Sequence, residues 1–193
     1  MSRVKKQLVQ SQVFHIELNG EIDHAENYTE ELNVIRCAQP NDTVHIYFNS
    51  PGGYVSTAAQ LKAALVSCQA ETVAHLEGIC HSAATIIALT CDEMVVHDHA
   101  LMLIHTYTGG GWGKSEDLLL AVQANDNWIK AIMRDSYDQF LSREEVNQLF
   151  SNQDFWFGAD EIRERWKSVL EIRELELEEE EQALRDKIKE EFK

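Results

Sequence analysis

Short apolar alternations recur through the first hundred residues, at intervals that suit strands separated by helices. Val13-Phe14-His15-Ile16-Glu17-Leu18 alternates with period two and predicts a strand, punctuated by Gly20 and Asp23. Residues 25–38 read as a helix, with Tyr28, Leu32, Ile35 and Cys37 roughly on one side, and Pro40-Asn41-Asp42 as a turn. Val44-His45-Ile46-Tyr47-Phe48 is a β-rich run that stops at Asn49-Ser50-Pro51-Gly52-Gly53. A second helix is predicted over about 55–68, with Val55, Ala58, Ala59, Leu61, Leu65 and Cys68 as its apolar positions. Thr72 to Leu76 predicts a strand ended by Gly78, and Ala83 to Leu89 a buried helix with small residues at its start. Met94-Val95-Val96 and Leu101-Met102-Leu103-Ile104 complete the strand set. This alternation predicts an α/β fold built from repeated ββα or βαβ units.

The pattern then changes. Thr108 to Gly113 is glycine-rich, and from Ser115 to about Leu149 the period is helical, with Ser115 as candidate cap and Glu116 and Asp117 suited to the helix dipole. Phe155-Trp156-Phe157 precedes another helix beginning near Ala159-Asp160-Glu161. From Trp166 onward Glu, Leu, Lys and Arg dominate. Trp166, Leu170, Leu177, Leu184, Ile188 and Phe192 fall close to one stripe. Such a helix is either a solvated surface element or a coiled-coil or subunit contact. No repeat or linker divides the 193 residues, so one domain over about 1–165 followed by an acidic amphipathic helix over 166–193 is expected.

Composition narrows the partners. A net charge of -16 repels phosphate, which argues against nucleic acid and anionic membrane. The basic start Met1-Ser2-Arg3-Val4-Lys5-Lys6 is followed by no apolar run, so a secretory signal is not expected, and the cytosol is the expected location. Cys37, Cys68, Cys80 and Cys91 show no CxxC spacing, and reduced, mostly buried thiols are expected.

Three segments carry candidate chemistry. Gly78-Ile79-Cys80-His81-Ser82-Ala83-Ala84 sets a serine between a strand end and a helix start, where small residues let free backbone N–H groups approach. Asn49-Ser50-Pro51-Gly52-Gly53 can aim a glycine N–H at an anionic oxygen, although a plain β-turn has the same composition. His105 ends an apolar strand just before a loop, where a titratable base belongs. His81 is its rival among eight histidines. Adjacent side chains on a strand-to-helix turn usually diverge, which favours His105 as the partner of Ser82.

Taken in order, the NSPGG stretch at 49–53, the GxxxS segment, the MLIH strand end at 102–105 and the glycine loop before a long helix resemble the ClpP family, the proteolytic subunit of the Clp protease, from about residue 13 to about 165. Ser82-Ala83-Ala84-Thr85-Ile86-Ile87-Ala88 is closer to the phage- and prophage-encoded branch. The resemblance implies a ClpP/crotonase-like repeated ββα core with a helical handle at about 108–150. It also implies a Ser-His-Asp triad in which Ser82 attacks, His105 is the general base and an acid orients the base. Asp154 and Asp138 both precede an aromatic residue and a helix start. Asp154 fits the family pattern better, because a helix precedes it and Ala159-Asp160-Glu161 follows. The implied oxyanion hole is the backbone N–H of Gly52, Gly53 and Ala83. Further implications are peptide or unfolded-protein substrates, a homo-oligomer of stacked rings, a possible AAA+ ATPase partner, and no metal or organic cofactor.

Departures from the family pattern bear on these expectations. Cys80 and His81 replace small residues and are expected to crowd the site, Thr106-Tyr107 follows the histidine, Arg165 to Leu170 replaces the segment usual after the acid, and the short N-terminus puts ATPase docking in question. The alternatives are an ATPase-independent phage-type capsid-maturation protease and a catalytically weak ring or decoy protein. A crotonase-like acyl-CoA enzyme would not need the triad.

Overall fold

A computed structural model of the chain describes residues 11–109 and 113–191. The basic start, Gly110, Gly111 and Trp112 of the glycine-rich loop, and Phe192 of the tail stripe lie outside the described residues. Three long parallel strands form one side of the sheet: β1 (Val13–Asn19), β2 (Thr43–Ser50) and β3 (Glu71–His81). They are joined by a 3₁₀ turn and α1 (Thr29–Cys37), then by α2 (Val55–Val66). After β3 come α3 (Ala83–Ala88), β4 (Glu93–Val96) and β5 (Leu101–Ile104). The last two lie end to end along one edge of β3, β4 beside Val73–Leu76 and β5 beside Ile79–His81, both parallel. Then follow α4 (Ser115–Tyr137), α5 (Arg143–Leu149), β6 (Phe155–Gly158), antiparallel to β5, and α6 (Ala159–Glu191). The sheet order is β1-β2-β3-β5-β6, with β4 also on β3. This is the α/β architecture that the alternating pattern predicts.

One face of the sheet makes the core. Ile16, Leu18, Val44, Ile46, Phe48, Ala74, Leu76, Met102 and Ile104 are buried on it, and α3, with all six residues buried, is sunk among them. The opposite face carries the polar half of the alternation. His15, His45, Tyr47 and His75 form a ladder there, with His45 Nδ1 2.9 Å from His75 Nε2 and His15 Nδ1 3.0 Å from the Tyr47 hydroxyl. Parallel sheets are usually covered on both faces, so an open polar face on parallel strands is a notable feature.

Four expectations are corrected. β3 does not end at Gly78 but runs three residues further. The glycine is there because a Cβ would lie 2.6 Å from Asn49 Oδ1, and that oxygen accepts the Ile79 N–H at 3.3 Å, where the β2–β3 register shifts. The helical stretch 115–149 is two helices, because Ser142 and Glu145 form a reciprocal capping box that starts α5 afresh. In α4 the N-cap is Lys114 rather than Ser115, with no side-chain cap bond. The tail is no separate element, since α6 runs unbroken from Ala159 and position 166 lies within it. Trp166 and Val169 are buried against the body, whereas Leu177, Leu184 and Ile188 are exposed. Cys80 and Cys91 are buried, Cys68 is half-buried and Cys37 exposed, all as free thiols.

Candidate active site

Ser82 sits between β3 and α3 with φ 54° and ψ -126°, a conformation that is strained for a residue with a Cβ. Its main chain is clamped from both sides. The Ser82 N–H donates to the Leu103 carbonyl at 2.8 Å, and the Ser82 carbonyl accepts from the Thr85 N–H at 2.9 Å and the Thr85 hydroxyl at 2.6 Å. Thr85 Oγ1 lies 2.8 Å from the hydroxyl of the fully buried Tyr137, which ties the turn to α4. The Ser82 hydroxyl has no hydrogen-bond partner among the described residues. Strand, strained serine and helix N-terminus together make a sharp elbow, in which the backbone is locked and the hydroxyl is left free.

The 50–53 turn presses on this elbow. Gly52 has φ 91°, and a Cβ on it would stand 2.7 Å from the Ser82 Cβ and 2.6 Å from the His81 carbonyl oxygen. Gly53, at φ 154°, packs on Ile22, whose carbonyl oxygen would lie 2.1 Å from an added Cβ. Side chains are therefore excluded at both positions. The Gly52 N–H donates to Ser50 Oγ at 3.1 Å, whereas the amides of Gly53 and Ala83 have no acceptor among the described residues. Of the three amides that could serve an oxyanion, Gly52's is engaged and the other two are open.

Sheet register brings the remaining candidates to the same end. His81 pairs with Leu103, so Ser82 follows at the end of β3 as His105 follows Ile104 at the end of β5. Ile104 pairs with Phe155 in the antiparallel β5–β6 ladder, so the next step of the register sets His105 beside Asp154. Ser82, His105 and Asp154 thus occupy three adjacent strand ends. No hydrogen bond joins them among the described residues; His105 is half-buried and Asp154 exposed. Bonds of this kind are commonly long before substrate binds. Asp138 is at the C-terminal end of α4, in a groove with Arg134 and Arg143, and so on a helix end rather than a strand end.

The feared crowding takes a specific form. Cys80 points into the core, and burial pushes its thiol well above the ordinary range, so it is an inert packing group. His81 points the other way and packs edge-on against Trp156 at 5.3 Å, with its Nε2 buried and without a partner. Burial, and then the charge of nearby His105, lower its pKa and favour the neutral imidazole. Sequence reasoning missed two supports of the site. Tyr137 reaches Thr85 across a separation of 52 residues, and Tyr107 donates to Asp126 Oδ1 at 2.9 Å, fastening the segment after His105 to α4. A Ser-x-x-Thr spacing at 82–85 was the one local hint of the first.

The profile of the family described as Clp protease matches residues 1–165, and the chain belongs to that family. It is 28% identical over 156 residues to an "ATP-dependent Clp protease proteolytic subunit 3" of Rhodococcus jostii (strain RHA1), covering 76% of this chain and 75% of that one. An "ATP-dependent Clp protease proteolytic subunit 2" of Mycolicibacterium paratuberculosis is 26% identical over 146 residues, covering 74% and 72%. The "ATP-dependent Clp protease proteolytic subunit" of Leuconostoc citreum is 24% identical over 153 residues, covering 75% of each. Family and relatives together support a ClpP-like peptidase. Among the described residues no helix is long and apolar enough to cross a membrane.

Proposed function

We propose that the chain is a serine endopeptidase that hydrolyses peptide bonds inside a ring assembly of its own copies. The observation that carries this reading is the Ser82 elbow, held at φ 54° with its hydroxyl free, next to strand ends bearing His105 and Asp154. Ser82 Oγ attacks the scissile carbonyl carbon while His105 takes the hydroxyl proton. The carbonyl oxygen becomes an oxyanion at the N-terminus of α3, where the amides of Ala83 and Gly53 are available. Gly52 joins them when its N–H leaves Ser50 Oγ. His105 then passes its proton to the leaving amine, the tetrahedral intermediate collapses to an acyl-enzyme, and water repeats the sequence. Asp154 holds the imidazole in the productive tautomer and stabilises the imidazolium. Asp154 is preferred to Asp138 because register sets it beside His105.

An assembly is supported by family membership and by the open polar face of a parallel sheet. Relatives named as subunits of an ATP-dependent protease make an AAA+ ATPase the natural partner to test. Hydrolysis of a fluorogenic peptide by the wild type, its loss in Ser82→Ala, and an unchanged light-scattering mass for that variant test the reading together. A wild-type mass of a single 22.1 kDa chain would remove the ring, and undiminished hydrolysis by Ser82→Ala would remove the nucleophile.

A further inference from the structure

An open groove of about 410 Å³ lies between the middle of α6 and the bend that precedes β4. Leu170 and Leu177 give it apolar wall, the first half-buried and the second 64% exposed. Asp92, Glu174, Glu178 and Glu181 line it as well. The cation in the lining, Arg173, is turned to the carbonyls of Leu89 and Cys91, donating to each at 2.8 Å. Four carboxylates against one cation leave three negative charges around the two leucines. Asp92 is held by Thr72 and Glu181 by Arg185, while Glu174 and Glu178 have no polar partner among the described residues.

The chain itself supplies a segment of complementary character. Residues 1–10, outside the described residues, hold Arg3, Lys5 and Lys6 and no acid, interspersed with Val4, Leu8 and Val9. Where this segment enters the fold decides what it reaches. The Thr43 N–H donates to the Gln12 carbonyl at 3.0 Å, so the entry lies beside the first residue of β2. Thr43 pairs with Glu71, the first residue of β3. The next residue, Thr72, donates to Asp92 Oδ2 from its N–H at 2.8 Å and from its hydroxyl at 2.7 Å. Entry and groove therefore share the end of the sheet where the parallel strands begin, three strand spacings apart, or about 15 Å. At roughly 3.3 Å per extended residue, Lys6 reaches about 20 Å from Gln12 and Arg3 about 30 Å. The exposed Glu71 and Glu93 flank the route. So short a tether holds the segment at millimolar effective concentration, where even a weak contact is populated.

We propose that this groove on α6 is the docking site of the chain's own residues 3–9, their lysines against Glu174, Glu178 and Glu181 and their apolar side chains on Leu170 and Leu177. Length of tether, charge and apolar content agree on this occupant. The assignment is independent of the hydrolytic reading, because Ser82, His105 and Asp154 lie at the other end of the sheet.

Carbodiimide coupling of the full chain is the test, since it joins a lysine amine to a carboxylate only when the two are in contact. After a denaturing gel, the band of single-chain mass is digested and its linked peptides are identified by mass spectrometry. Lys5 or Lys6 is expected to be joined there to Glu174, Glu178 or Glu181. Leu177→Gln keeps every charge and changes an exposed position, so it should fold. It should lower that coupling about fivefold, the effect of losing half-burial of one leucine. Absence of any link from Lys5 or Lys6 to these three glutamates overturns the proposal. Coupling undiminished in folded Leu177→Gln overturns it too, because charge attraction alone would then account for the links. The same links confined to the band of two-chain mass would seat a second copy's segment in the groove and overturn docking within one chain.

Discussion

α3 and the outer half of α6 are both helices, and they are held by opposite means. α3 has six residues, all buried, and is too short to form in water by itself. Packing imposes it, and the same packing can hold the strained backbone of Ser82 at its first turn. From Glu174 to Glu190, α6 is exposed throughout, and apart from Glu176, which accepts from Gln139 Nε2 at 2.9 Å, its polar bonds are local: Arg185 with Glu181, Lys189 and Gln182 with Asp186. Pairs of this kind contribute about 0.2–0.5 kcal/mol each and can hold no strain. Chemistry that needs a pre-set conformation therefore belongs at α3, and the tail, for all its conspicuous pattern, carries none.

The sharpest way to break this contrast is at the site itself. Asp154→Asn is expected to lower peptide hydrolysis by on the order of 10⁴-fold with the fold intact, while Asp138→Asn stays near wild type. The reverse ranking in kcat/KM would shift the acid to α4. Gly52→Ala comes next. Its Cβ would overlap Ser82 and the backbone of His81 at a positive φ, so a stability loss of roughly 2–4 kcal/mol is expected, with hydrolysis failing alongside. Denaturant unfolding checks it; a wild-type midpoint would mean the elbow is not packed as described.

A smaller effect is expected at the base of α6. Arg165 engages Glu145 at 2.7 Å and holds its carboxyl down at about 2, against an ordinary 4.5. A carboxyl depressed on folding adds stability that is fully present above pH 4.5 and is lost as pH falls from there to about 2. Glu145→Gln should flatten that acid limb in thermal unfolding, and an unchanged limb would mean the pair is not formed. The smallest effect is truncation after Arg173, which removes only the exposed half of α6 and should cost the folded chain less than about 1 kcal/mol. A larger drop in melting temperature would show that the outer helix is packed after all.

What could be read from the sequence follows from the same physics. β1, β2 and β5 announce themselves because each has one buried face, so Ile16, Leu18, Val44, Ile46 and Met102 fall on period two. Ser82 and His105 stand out because each lies where an apolar run gives way to a turn. The continuation of β3 through Gly78 is not local information: the glycine answers to the Asn49 side chain on the next strand. The Tyr137–Thr85 bond and the placement of β6 against β5 depend on pairings across 52 or so residues, which no short window contains. The break between α4 and α5 was legible in Ser142-Arg143-Glu144-Glu145, a capping-box signature that the continuous helical period concealed.

The proposed hydrolysis requires Ser82 to be a nucleophile, and covalent labelling tests this without knowledge of the natural substrate. The full chain, treated with a fluorophosphonate and digested, should carry the label on the peptide containing Ser82. Ser82→Ala should carry none, and His105→Gln should label far more slowly. Label found on another residue, or wild-type chain that stays unlabelled while remaining folded, would contradict the account.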